Sequence, residues 1–247
     1  MTKFNASFVF FLAFLVMSSI PSLKAKNSTI FLNAERTALK QKTLNGHHPI
    51  TTYSTARKML MNRVHLAKNR EGYFVRDVYC GQIISLASEN TMPNHNVINV
   101  EHTWPQSRFN SRDNISEQKS DLHHLYPTNS KANTTRGSYI FTEVKSQQPI
   151  FQSCPESKLG KSEEGNSIIG FEPPENHKGN VARALFYFSI RYEIEISEQE
   201  EVVLRHWNEI DPVDEDEIIR NNIIESIQGN RNPFVDDSKL VESLDNF

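Results

Sequence analysis

Apolar and polar positions alternate with different periods along this chain, and each change of period predicts an element. From Tyr53 to Leu66, Ala56, Met59, Leu60 and Val64 recur at helical spacing with Arg57, Lys58 and Arg63 between them, which predicts an amphipathic helix with its stripe on a core. Tyr73 to Tyr79 is rich in aromatic and β-branched residues and stops at Cys80-Gly81, the pattern of a strand running into a turn. Val97 to His102 predicts a second strand, closed by Pro105, which cannot donate to a ladder. The polar stretch from Ser107 to Ser120 predicts a loop, and the alternation from Asp121 to Tyr126 predicts a returning strand. Pro127 and Thr128 then resemble a helix start and Gly137 its stop, which puts Asn133 and Arg136 three residues apart on one helical face. Residues 147 to 178 predict an irregular region. Helices are expected from Asn180 to Tyr192, Glu198 to Ile210 and Asp214 to Ile227, the last opening on acids that suit a helix N-terminus, with a loop from Gln228 to Phe234. The class implied is α+β: one mostly helical domain over residues 26–247 with a small antiparallel sheet.

The start of the chain has another character. Lys3 precedes an apolar run from Phe8 to Met17, followed by Ser18, Ser19, Pro21 and Ala25, the layout of a secretory signal peptide over residues 1–25. That run is about half the roughly 20 residues that span a bilayer. A secreted or periplasmic protein, soluble once the signal is removed, is therefore expected. In such an oxidising compartment the only two cysteines, Cys80 and Cys154, predict one disulfide, with two separate buried thiols as the alternative.

Charge changes the picture only when it is located. The whole chain carries −3, which argues against a nucleic-acid partner. Residues 27–160, however, carry +6 and residues 161–247 carry −12. The basic half holds the residues with chemistry, so a locally positive groove is compatible with the sequence.

Those residues are Glu101-His102, then Asp121 to Pro127 about twenty positions later, then Asn133 and Arg136. A carboxylate, an imidazole, an amide oxygen and a guanidinium suit metal-assisted attack on a phosphodiester. The oxygens hold a hard cation, the imidazole takes a proton from water, and a cation neutralises phosphate. A strand carrying the base, a return strand and a helix carrying the second ligand would hold base and metal a few ångströms apart. A zinc site of His102, His123 and His124 is the other metal arrangement, but strand alternation sends His123 and His124 to opposite faces. Asn133-Thr134-Thr135 also matches an N-glycosylation acceptor, and a sugar there would occupy the proposed ligand.

The longer pattern is specific. Asn99 to Ser107 (NVEHTWPQS) and Ser120 to Gly137 (SDLHHLYPTNSKANTTRG) resemble the bacterial endonuclease I family, secreted and periplasmic nucleases of the ββα-metal (His-Me finger) class. The resemblance continues through Asp77 to Gly81, Ala182 to Tyr187, Arg191-Tyr192 and Gln228 to Phe234. It implies an embedded His-Me finger in which His102 is the general base and Glu101 and Asn133 hold a divalent metal, normally magnesium, with manganese or calcium as other candidates. It also implies a phosphate contact or supporting role for Arg136, and a loop arginine on the scissile phosphate, for which Arg108 and Arg112 both qualify. The activity implied is endonucleolytic cleavage of DNA, and of RNA, with little sequence preference and 5′-phosphate products, by a monomer that reads the backbone. A catalytically inactive nucleic-acid binder and a zinc-dependent hydrolase are the alternatives.

Overall fold

The computed structural model describes residues 34–146, 148–165 and 167–247. The expected signal peptide lies outside them. Helix α1 covers residues 34–44. Helix α2 (Tyr53–Met59) starts where the Thr52 hydroxyl accepts from the Thr55 amide, and runs into a π-helical turn over Leu60–Val64. Next comes an antiparallel meander of β1 (Leu66–Asn69), β2 (Gly72–Arg76) and β3 (Ile83–Leu86). The strand expected to reach Tyr79 ends at Arg76 because Asp77 folds the chain into a turn. Its carboxylate accepts from the amides of Tyr79, Cys80 and Gln82.

The central unit is β4 (Ile98–His102), β5 (Leu125–Asn129) and α4 (Ser130–Arg136). The two strands pair antiparallel, with Glu101 opposite Tyr126 and His102 opposite Leu125. Between them lies more structure than the expected loop: a 3₁₀ turn over Gln106–Arg108 and helix α3 (Ile115–Ser120), capped by Asn114, whose side chain accepts from the Ser116 and Glu117 amides. A short, mostly polar helix shows no apolar stripe, so its periodicity is silent and only the cap marks it.

The return strand starts later than the alternation suggested. Asp121 accepts from the His123 amide and winds Leu122–His124 into a 3₁₀ turn, so the strand opens at Leu125. Pro127 and Thr128 are strand residues, not a helix start; Pro127 sits opposite Val100 and its carbonyl accepts from Val78. The helix is instead nucleated by Asn129, whose side chain caps the amides of Lys131 and Ala132, and it stops at Gly137 as expected, at φ 54°.

The region expected to be irregular supplies a third sheet, β6 (Ile140–Phe141), β7 (Lys158–Lys161) and β8 (Ile169–Glu172), in the order β6-β8-β7 with β6 and β8 parallel. Strands of two to four residues are too short for a period to emerge. Cys80 and Cys154 form a disulfide, which ties this region to the Asp77 turn. Helix α5 (Lys178–Tyr192) is buried on nearly every side and is the axis of the larger core, packing on α6 (Glu198–Ile210). Helix α7 (Glu215–Gln228) is capped by Asp214, and α8 (Pro233–Asp236) occupies part of the expected final loop. A second apolar cluster gathers α2, β2, β4 and Ile224 of α7. The β4–β5–α4 unit lies between the clusters, with Trp104 in one and Val100, Leu122 and Leu125 in the other. No helix among the described residues is long and apolar enough to cross a membrane.

Candidate active site

Regular pairing through the end of β4 sends successive side chains to opposite faces, and this sets the geometry of the site. Glu101 points to the face covered by α4. It is 1% exposed, its Oε1 accepts from the Tyr79 hydroxyl at 2.9 Å, and the same oxygen lies 3.1 Å from Arg136 Nη1. No hydrogen bond to Oε2 is made among the described residues. Burial raises the carboxyl pKa, while Arg136 and the Tyr79 hydroxyl oppose that rise by favouring the charged form.

Asn133 is half-buried on α4 and faces β4. Its Nδ2 donates to Asn99 Oδ1 at 2.8 Å and to the Val100 carbonyl at 3.0 Å. Two acceptors at one end of the amide fix that end as the NH₂, which leaves Oδ1 as the free oxygen. Glu101 Oε2 and Asn133 Oδ1 are therefore two hard oxygens with no protein donor, on adjoining elements. That donor set fits a divalent cation of the magnesium or calcium type better than zinc. The same hydrogen bonds leave little room for a sugar on Asn133 Nδ2.

His102 turns to the other face, between Tyr53 (ring centroids 5.4 Å apart), Phe109 (6.2 Å) and His124 (5.3 Å). Its Nε2 lies 3.1 Å from the Lys119 carbonyl, which can only accept, so Nε2 carries the hydrogen and Nδ1 carries the lone pair. Gln106 Nε2 donates to that lone pair at 3.3 Å. Burial, helped by His124, lowers the imidazole pKa to about 3. The ring is neutral at neutral pH, as a proton acceptor must be.

The arginines do not stand where a phosphate would meet them all equally. Arg136 is 1% exposed; besides Glu101, it donates to the carbonyls of His102 (3.2 Å), Thr103 (2.7 Å) and Gly137 (3.2 Å). Its geometry is that of a brace for Glu101 and the end of β4, and of the two roles considered for it the phosphate contact is the one its burial disfavours. Arg108 pairs with Glu200 at 3.0 Å and lies over the Trp104 ring, while Arg112 is exposed on the loop before α3. The cation beside His102 is Lys119, which the sequence reading passed over; its Nζ lies 4.8 Å from the Tyr53 ring centroid.

Three further supports were also missed. Tyr79 holds Glu101. Asp77 accepts from the Asn129 amide and so ties the disulfide-bearing turn to the cap of α4. Asp121, 2% exposed, accepts from the hydroxyls of Tyr187 and Tyr192 (2.8 Å each) and from Gln228 Nε2 (2.9 Å), which fixes the segment before β5 to α5 and α7. All three lie inside the stretches on which the family resemblance rests, and their residue types alone carry no other signal. His123 stacks near Tyr187 and His124 near Phe188; both are buried, with pKa values lowered to about 4 by burial. They separate because a 3₁₀ turn carries them, not a strand, and no group of three metal-binding side chains occurs among the described residues.

Glu101 and Asn133 thus lie on the α4 side of β4 and the tautomer-fixed His102 on its other side, a carboxylate, an amide oxygen and an imidazole grouped around the end of one strand. A sequence model of the Endonuclease I family matches residues 37–239, and the chain belongs to that family. It is 34% identical over 164 residues to an extracellular ribonuclease of Bacillus amyloliquefaciens, covering 59% of this chain and 53% of that one. It is 27% identical over 239 residues to Endonuclease-1 of Buchnera aphidicola subsp. Acyrthosiphon pisum, covering 83% and 86%. With an extracellular deoxyribonuclease of Aeromonas hydrophila the identity is 26% over 130 residues, half of this chain and 52% of that one. The chain spans about half the length of the ribonuclease it matches.

Proposed function

We propose that this protein is a secreted or periplasmic, divalent-metal-dependent endonuclease that hydrolyses phosphodiester bonds of DNA and RNA with little sequence specificity and leaves 5′-phosphate ends. Residues 26–247 form the nuclease domain, and β4–β5–α4 is its ββα-metal (His-Me) finger. The observation that carries the reading is His102: its Nε2–H is held by the Lys119 carbonyl, and its basic Nδ1 is turned toward the side where Gln106 is exposed. A neutral imidazole fixed in one tautomer is what abstraction of a proton from water requires.

Glu101 Oε2 and Asn133 Oδ1 would hold the metal ion, magnesium or alternatively manganese or calcium. The ion would supply stabilisation of the extra negative charge on the phosphate and of the departing 3′ oxygen. The chain's own residues do the remaining work. His102 Nδ1 accepts a proton from water once Gln106 releases it. Arg136 and Tyr79 keep the Glu101 carboxylate ionised and aimed. Lys119, with Arg112 or Arg108 on the neighbouring loop, faces the phosphates on the His102 side. One neutral ligand and one carboxylate already paired with an arginine give a weak site, so metal and substrate should bind together.

Incubating the purified protein with plasmid DNA and with a structured RNA, with magnesium or with EDTA, tests this reading. Cleavage of both that stops with EDTA is expected. Cleavage that persists in EDTA would exclude the metal, and absence of cleavage with every divalent ion would favour the nucleic-acid-binding alternative. For the metal site, Asn133→Ala should raise the magnesium concentration at half-maximal rate; an unchanged curve would remove Asn133 from it.

A further inference from the structure

The imidazole of His102 is held by a helix too short to hold itself. Helix α3 has six residues, so most of its carbonyls find no amide within it and must be met from outside. Two consecutive ones are met by imidazoles. The Lys119 carbonyl accepts from His102 Nε2 at 3.1 Å, and the Gln118 carbonyl accepts from His124 Nε2 at 2.7 Å. The first bond fixes the tautomer of His102. The second has no part in the reaction proposed above.

His124 is fully buried beside Phe109 (ring centroids 6.0 Å apart) and Phe188 (4.4 Å). Because a carbonyl can only accept, its hydrogen is on Nε2, and the Nδ1 lone pair is buried with no partner among the described residues. For packing between two phenylalanines an apolar ring would serve better, since it would leave no such lone pair unmet. What the imidazole adds is one N–H, and that N–H goes to the carbonyl next to the one that holds His102.

We infer that His124 is a positioning residue for the base: by gripping the Gln118 carbonyl it holds the end of α3 so that the Lys119 carbonyl keeps His102 in its Nε2–H tautomer. The local sequence makes this possible. Asp121 accepts from the His123 amide and winds Leu122–His124 into a 3₁₀ turn, which sends His123 to Tyr187 and His124 to the end of β4. There His124 meets the base in two further ways. Its own carbonyl accepts from the Thr103 amide at 3.0 Å, which fixes the residue after His102. Its ring meets the His102 ring edge to face, with 5.3 Å between centroids and 64° between planes. Other ties hold the body of α3: the Gln118 side chain bonds the Asn110 amide and carbonyl, and Glu117 pairs with Arg191. Loss of the His124 N–H should therefore leave the fold standing and loosen the base. The inference rests on the reading of His102 as that base.

NMR of the imidazole nitrogens in the full chain, together with steady-state cleavage of plasmid DNA in saturating magnesium, tests it. In wild type, His102 and His124 should each show one tautomer with the hydrogen on Nε2, and the His124 Nε2 proton should exchange slowly with solvent. His124→Phe keeps a ring and removes the N–H. His102 should then populate both tautomers, and kcat should fall about tenfold, part of the roughly 10²-fold that a lost general base costs, with KM unchanged. His124→Gln places an amide N–H where Nε2 stood and should restore the single tautomer and most of kcat. A folded His124→Phe protein with one His102 tautomer and wild-type kcat would overturn the inference, as would a Gln variant no better than the Phe variant. Should His124→Phe not fold, the wild-type spectrum decides: a His124 ring with its hydrogen on Nδ1, or exchanging it freely, would overturn the inference equally. Tautomers are read without cleavage. A protein whose His102→Ala variant cuts normally therefore defeats the catalytic reading, whereas an active enzyme whose His102 tautomer ignores His124 defeats this inference alone.

Discussion

Histidines held neutral by burial should make this fold collapse in mild acid: His65, lowered well below its ordinary value, and four others that are almost fully covered. Burial, the largest cause in each case, lowers the pKa of His102 and His177 to about 3 and of His123 and His124 to about 4. In the unfolded chain the same rings take up a proton near pH 6.5. Between that value and pH 3 to 4 the unfolded state binds more protons, so stability rises with pH across this window. The contribution is fully present above about pH 7 and is lost as pH falls. From pH 7 to pH 5 each ring costs about 2 kcal/mol, and the four together roughly 7 kcal/mol, against a total stability of order 5 to 15 kcal/mol. Asp121, held far below the ordinary carboxylate range by the histidines and hydrogen bonds around it, adds to the loss only below about pH 4. Urea unfolding between pH 5 and 8, read by the fluorescence of buried Trp104 and Trp207, should show a midpoint that falls steeply below pH 7. His177→Gln should flatten that slope by one proton. A midpoint that stays constant from pH 7 to pH 5 would refute the claim that these rings are held neutral.

Other perturbations follow from single contacts. Reducing Cys80–Cys154, which closes a loop of 74 residues, should cost about 4 kcal/mol and lower Tm by roughly 10 °C, measured with and without reductant; an unchanged Tm would mean that the Asp77 turn holds itself. Arg136→Met leaves Glu101 buried without its cation and should destabilise by about 3 kcal/mol in chemical denaturation; a neutral result would deny the brace. Gly229→Ala places a methyl 1.9 Å from the Gly46 carbonyl oxygen at φ 81°, so it should destabilise by more than the roughly 1 kcal/mol of a simple propensity change, and a wild-type Tm would contradict the packing of that loop on α7.

Long periodic segments were legible in the sequence. The helices from 180, 198 and 214 and the strand ending at His102 lie within a residue or two of their expected places, the helices because each is a long run of apolar and helix-forming residues and the strand because its β-branched run stops before Pro105. Segments governed by one side chain were not. Asp77 and Asp121 each bend the chain through hydrogen bonds to amides up to five residues on, and so shorten strands that composition alone would extend. Alternation from Asp121 to Tyr126 gave the wrong element for the same reason, and its helix start was displaced from Pro127 to Asn129. In the site, the pairing of Glu101 with Asn133 came from the family resemblance and not from spacing, and the burial of Arg136 was legible from neither. A sequence shows a guanidinium near the site but not which carbonyls it will satisfy. Lys119 was invisible because it enters through the carbonyl of its own backbone, a group every residue has.

The central claim is that His102 is the base of a phosphodiester hydrolase, and the rate of His102→Ala on supercoiled plasmid in saturating magnesium tests it most directly. With an unfolding midpoint matching wild type, the account predicts a rate lower by at least the roughly 10²-fold that a lost general base costs, partly restored by added imidazole. A folded His102→Ala protein that cleaves at the wild-type rate would contradict it.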